Sequence, residues 1–238
     1  MIRRVAVIAL LLAVAVPLVM AMAEMPPYGS VDTPAYTHVA AHYLEYGPEE
    51  AGAENIVTDV ILNYRGFDTQ GEVTVIFTAM AAVLAVLMVK HDPSLPRIRP
   101  VLMAPSVVVR FIVRVMAPFA LMFAAYVIMN GHVTPGGGFQ GGTIAGAVAI
   151  ALTLIMGEEE AAALIPRRAK RLLQAAAPLG FVAVGVIGLA LTGSYLGYPR
   201  GEAEHLLTTS MLLVIEIGIG IGGATVIATI FQTMGSEQ

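Results

Sequence analysis

The residue in this 238-residue chain best placed to do chemistry is Glu216, set within the apolar run Leu212-Leu213-Val214-Ile215-Glu216-Ile217-Gly218-Ile219. A carboxylate in hydrocarbon costs about 2.5–3.5 kcal/mol on insertion scales, so it is normally paired, protonated or turned toward water. Two readings follow: a proton or cation relay, or a buried polar contact with a neighbouring subunit. The same run carries Gly218, Gly220, Gly222 and Gly223. Small residues let helices approach closely, so this face is expected to pack against another helix.

A second candidate is the stretch Gly131-His132-Val133-Thr134-Pro135-Gly136-Gly137-Gly138-Phe139-Gln140-Gly141-Gly142, with six glycines in twelve residues. It lacks the Gly-Lys-Ser/Thr of a phosphate-cradling loop. The expectation is a rigid turn between two tightly packed helices, in which His132 either shuttles protons near its ordinary pKa of about 6.5 or serves as a structural hydrogen-bonding group. Asp68 and Glu72 form a third candidate at the mouth of a span. They either collect cations there, or cap the helix and complement its dipole. Arg110 and Arg114 at the start of a span are expected to snorkel. His38 and His42 share an i, i+4 spacing without an evident third metal ligand. No nucleophile elbow, H-E-x-x-H, Walker or haem-attachment pattern is present. The chain therefore reads as a non-enzyme without cofactor or metal.

The elements that position these residues are apolar helices. The chain is 57% hydrophobic and 13% charged, with a mean hydropathy of +0.79. Soluble domains carry about 25% charged residues, so lipid is the consistent solvent. There is no Cys, which excludes disulfides and thiolate metal sites, and no basic stripe for nucleic acid. Apolar runs at 2–22, 73–89, 107–129, 143–156, 172–191 and 206–231 do not alternate as barrel strands would, and predict an all-α polytopic membrane protein. The fourth run is too short to span alone and must borrow from the glycine stretch before it, or re-enter. Eleven of the thirteen Lys and Arg then fall on one side, leaving Arg65 and Arg200 among the acidic residues opposite. The positive-inside rule thus predicts six spans with both termini cytoplasmic. Ala21-Met22-Ala23 before Glu24 resembles a signal-cleavage site, but the preceding apolar run is long for one, and a retained first helix is expected.

Three parts are predicted. Residues 1–90 hold two spans around a long acidic loop; 91–106 are a basic linker with three prolines in ten residues; 107–238 hold four spans with short connections. Within the loop, Ile56, Val57, Val60, Ile61 and Tyr64 recur at helical spacing, with Glu54, Asp59 and Asn63 elsewhere on the wheel, which predicts an amphipathic helix.

Residues 131–142, with Arg114-Val115-Met116-Ala117-Pro118-Phe119 before them, resemble the MnhB subunit of the Mrp (Mnh) sodium/proton antiporters, whose signature includes G-H-x-x-P-G-G-G-F-Q-G-G. Asn63-Tyr64-Arg65-Gly66-Phe67-Asp68-Thr69-Gln70-Gly71-Glu72 resembles the R-G-x-D-T-x-x-E element of the MbhE subunit of membrane-bound hydrogenases, which also occurs in the largest Mrp subunit. Arg65, Asp68 and Glu72 are the matching positions. These families belong to complexes related to respiratory complex I. The resemblance implies a subunit of a sodium/proton antiporter in a prokaryotic inner membrane, with other membrane subunits, lipid, Na⁺ and H⁺ as partners. With no Lys expected inside its spans, the chain is set apart from the large pumping subunits. Two alternatives stay open: the equivalent subunit of a redox-driven complex such as a membrane-bound hydrogenase, and a purely structural scaffold.

Overall fold

The computed structural model describes residues 2–89, 105–201 and 203–236; almost all of the basic proline-rich linker lies outside them. The chain divides into two compact units, residues 1–45 and 46–238.

The first unit is built on α1 (Ile2–Ala23), whose side chains from Arg3 onward are all exposed. At 1.5 Å per residue its 22 residues reach about 33 Å, enough to cross a bilayer. A π-helical turn, Ala35–Ala40, follows and leads into α2 (Ala41–Ala51), which runs across the boundary between the units. His38 and His42 belong to this segment. No group of three His, Cys, Asp or Glu able to hold a metal occurs among the described residues.

The second unit begins with α3 (Ile56–Thr58), which Asn55 caps by accepting the Val57 N–H, and continues through a π-helical stretch, Asp59–Tyr64. The long helices are α4 (Gly66–Val89), α5 (Val107–Met129), α6 (Gly138–Met156), α8 (Arg167–Thr192) and α9 (His205–Ser236), with the short α7 (Glu158–Leu164) between α6 and α8. With α1, six helices are long and apolar enough to cross a membrane, and no strand occurs among the described residues. The chain is all-α and polytopic, as its apolar runs predict. The short fourth run becomes a 19-residue helix because Gly138–Gly142 joins it.

α9 is the hub. It packs on α6, α8, α4 and α5, while α6 also packs on α5. The close crossing of α6 and α9 follows from spacing. Gly138, Gly142 and Gly146 recur every four residues on α6, and a Cβ at Gly142 would stand 2.7 Å from the Gly220 carbonyl oxygen. Small residues at i, i+4 and i+8 bring two backbones into contact. On the other side of α9, a core of Leu62, Val73, Phe181, Leu212 and Ile215 ties α4 and α8 to it.

Two local expectations change. The helical stretch over 56–64 forms but buries another face: Thr58, Asp59 and Leu62 are each 1% exposed, while Val57 is 56% exposed. The cause is tertiary: Thr58 Oγ1 donates to the Gly131 carbonyl and Asp59 accepts the Ala53 N–H, which holds that face inward. Secondly, α4 starts at Gly66. Asp68 therefore lies inside the first turn and Glu72 in the second, so neither is the N-cap.

Candidate functional site

Glu216 lies about 16 Å along α9 from His205, a third of the way down a 32-residue helix and closer to one end than the apolar run suggests. Its side chain is 2% exposed. What surrounds it is the glycine-rich stretch. A Cβ at Gly131 would stand 2.5 Å from both Glu216 carboxylate oxygens, and one at Gly137 would stand 3.7 Å from Oε1. The Gly131 N–H donates to the carboxylate. Oε2 is buried without a hydrogen-bond partner. The loop between α5 and α6 thus folds over the acid and offers it backbone rather than side chains. Gly136 and Gly137 adopt φ of 154° and 140°, open to glycine and rarely to residues with a Cβ.

The loop is pinned by residues 73 to 79 positions earlier in the chain. Asn55 Nδ2 donates to the carbonyls of Gly131 (2.7 Å) and Thr134 (2.9 Å). Thr58 Oγ1 donates to the same Gly131 carbonyl at 2.7 Å, and the Asn55 N–H donates to the His132 carbonyl at 3.1 Å. Gly131 is therefore gripped at its carbonyl by Asn55 and α3, and touches Glu216 through its N–H. Asp59 follows directly. Its Oδ1 accepts the Ala53 N–H at 3.0 Å, and its Oδ2 is buried without a partner. Burial pushes its pKa up to about 6, against the lowering effect of the Ala53 bond.

The remaining candidates fall in different places. His132 sits in the loop beside Gly131, half-buried, with Nδ1 unpartnered; burial lowers its pKa, with Glu54 opposing and His205 reinforcing the shift. Pro135 and Gln140 are exposed, Phe139 packs on the core, and Gly141 fits against the Ala124 carbonyl and Ile128 of α5. Asp68 pairs with Arg65 at 2.6 Å on an exposed surface, and Glu72 is exposed on α4. Neither bonds to Glu216 among the described residues. Arg110 and Arg114 lie in the first two turns of α5.

Two features escape a reading along the chain. Asn55 and Thr58 are ordinary loop residues until the fold sets them on the glycine loop. Lys170 reads as one of a cluster of loop cations, yet it lies in the first turn of α8, half-buried, and donates to Gln232 of α9 at 2.7 Å.

A bundle of apolar helices around a buried, half-satisfied carboxylate under a glycine loop defines a polytopic membrane protein with an acid in its interior. The family follows from comparison. A family model described as a domain related to the MnhB subunit of Na⁺/H⁺ antiporter matches residues 108–230, and one for MbhE, a subunit of MBH, matches residues 2–101. The chain belongs to the MnhB-domain family. It is 27% identical over 72% of its length to the A/B subunit of a probable K⁺/H⁺ antiporter of Rhizobium meliloti, of which it spans only 19%. It is 28% identical over 50% of its length to the B subunit of a Na⁺/H⁺ antiporter of Bacillus subtilis, covering 85% of that protein. Among solved structures, it resembles a chain of the membrane-bound sulfane sulfur reductase, an archaeal respiratory membrane complex, with 33% identity, a TM-score of 0.70 and 98% of each chain covered.

Proposed function

We propose that this chain is a non-catalytic subunit of a multi-subunit membrane complex that exchanges a monovalent cation for protons, and that Glu216, beneath the glycine loop, is a station on the ion path. The observation carrying this reading is the buried, unpartnered Glu216 oxygen beneath a loop that meets it with backbone alone. A buried carboxylate with a free oxygen calls for a proton or a cation. The loop meets the acid through the Gly131 N–H, while the Gly131, His132 and Thr134 carbonyls accept from Asn55 and Thr58, so the carboxylate itself is the group that would hold the proton or cation. With both termini cytoplasmic, as the Lys and Arg distribution implies, Glu216 lies nearer the acidic outer side of a prokaryotic inner membrane. The acidic groups there raise the local cation concentration. Asp68 and Glu72, exposed on α4, face a neighbouring subunit or lipid and would extend the path only together with another chain.

A second reading keeps the site and changes the engine. A chain of a respiratory complex matches over 98% of this one and a chain of an Mrp complex over 99%, with TM-scores of 0.70 and 0.71, so the fold fits both settings. In the respiratory setting, redox subunits drive the same membrane module. One experiment separates the readings. The whole operon is expressed in a strain without its own antiporters, Na⁺-dependent dissipation of a pH gradient is followed in everted vesicles, and the subunits of the purified complex are identified. Exchange without redox subunits supports the antiporter. Co-purifying redox subunits, with ion movement only on electron transfer, supports the second reading. A complex that moves no ion in either assay refutes both.

A further inference from the structure

Away from Glu216, a cavity of about 820 Å³ opens among α5, α6, α7, α8 and α9. Its wall is mostly apolar, built from such residues as Leu121, Val148, Leu152 and Ala228, and among the described residues it holds one charge, the Lys170 ammonium. Among the described side chains, no carboxylate lies against Lys170. Its partner is the neutral Gln232 side chain, and no ion pair involving it forms among the described residues. Arg168 and Arg171, exposed in the same turns of α8, add positive charge beside it.

We propose that this cavity binds an anionic phospholipid, with an apolar tail along the α5–α6–α9 wall and the headgroup phosphate on Lys170. The chemistry is that of an amphiphile: a long apolar surface ending at a cation. A half-buried ammonium at a membrane boundary needs an anion, and basic pockets between transmembrane helices take anionic headgroups. The volume lies within the range of pockets that hold small molecules. The cavity is half open, and an apolar partner helix laid in it would cover the Lys170 ammonium without supplying an anion, whereas a phospholipid supplies tail and phosphate together. The inference is independent of the ion path.

The test uses the assembled complex in its native membrane. Leu121→p-benzoylphenylalanine puts a photoreactive group on the wall. After illumination the chain is separated under denaturing conditions and its intact mass is measured. The expected product is an adduct with the mass of an anionic phospholipid. Adding Lys170→Gln, which keeps a donor for Gln232, should cut its yield several-fold. Lipid extracted from complexes carrying Lys170→Gln alone, with Leu121 intact, should likewise lose about one anionic phospholipid per complex relative to wild type. An adduct with another protein subunit overturns the proposal. So does the absence of any phospholipid adduct, or an adduct equally rich in zwitterionic lipid and indifferent to Lys170→Gln.

Discussion

The contact between the glycine loop and Glu216 can be tested by adding one methyl group. In Gly131→Ala the new Cβ would stand 2.5 Å from both carboxylate oxygens and 2.6 Å from the Gly137 Cα. Ordinary contacts between carbons are about 3.5–4.0 Å, so roughly 1 Å of overlap must be relieved by moving the acid, the loop or both. Inserting a methylene into a packed site costs about 1–3 kcal/mol. For a chain of this size that lowers Tm by about 2–4 °C per kcal/mol. The second perturbation, Glu216→Asp, retracts the carboxylate by one bond, about 1.5 Å, and clears two of the three clashes. The Gly137 contact remains, so rescue is partial. The expected result is that Gly131→Ala with Glu216→Asp melts higher than Gly131→Ala alone, with a coupling of about 0.5–3 kcal/mol. Gly223→Ala, where a Cβ would meet nothing within 4 Å, is the control and should not lower Tm. The assay is thermal unfolding of the detergent-solubilised complex. An unchanged Tm for Gly131→Ala, or effects of the two changes that simply add, would show that the loop does not rest on Glu216.

Three further outcomes follow from the same geometry. Asn55→Ala leaves the Thr134 carbonyl without its Asn55 donor and removes the α3 cap; lost bonds to buried groups cost about 1–3 kcal/mol, so its Tm should fall measurably while an exposed change such as Val57→Ala does little. Burial favours the protonated form of Asp59 and raises its pKa from 3.8 to about 6. Its contribution to stability is thus complete below about pH 4 and lost as the pH rises through about 6, by roughly 3 kcal/mol; melting curves should show this fall in wild type and a flatter profile in Asp59→Asn. The Arg65–Asp68 pair is 63% and 53% exposed, and surface pairs contribute about 0–1 kcal/mol. Asp68→Asn should therefore assemble and melt like wild type, so any loss of transport would report on its charge rather than on folding.

The spans were legible because hydropathy is local: each apolar run carries its own signal, and the glycines before residue 143 supplied the missing turn of the fourth. Glu216 was legible by type alone, since a lone acid in an apolar run is conspicuous wherever it points. Its surroundings were not. Gly131 and Glu216 are 85 positions apart, and only the α6–α9 crossing at Gly138, Gly142 and Gly220 brings them together. The grip of Asn55 and Thr58 on the loop is likewise long-range. The wheel over residues 54–64 misled because it put the apolar face inward, whereas Thr58 and Asp59 are drawn in by bonds to Gly131 and Ala53 that hydropathy does not register. Lys170 was masked by its neighbours Arg167, Arg168 and Arg171: charge density reads as a solvated loop, and nothing local reveals that Lys170 turns inward to Gln232.

The central claim is that the carboxylate of Glu216 handles the translocated ion. Its most direct test is Glu216→Gln, which keeps the shape of the side chain and removes its ability to bind a proton or a cation as a carboxylate. Exchange would be followed in everted vesicles carrying the complete complex, with assembly verified on a native gel. The expected result is an assembled complex whose Na⁺-dependent proton movement is lost or severely reduced. An assembled Glu216→Gln complex that exchanges at the wild-type rate would contradict it and leave the chain as scaffold.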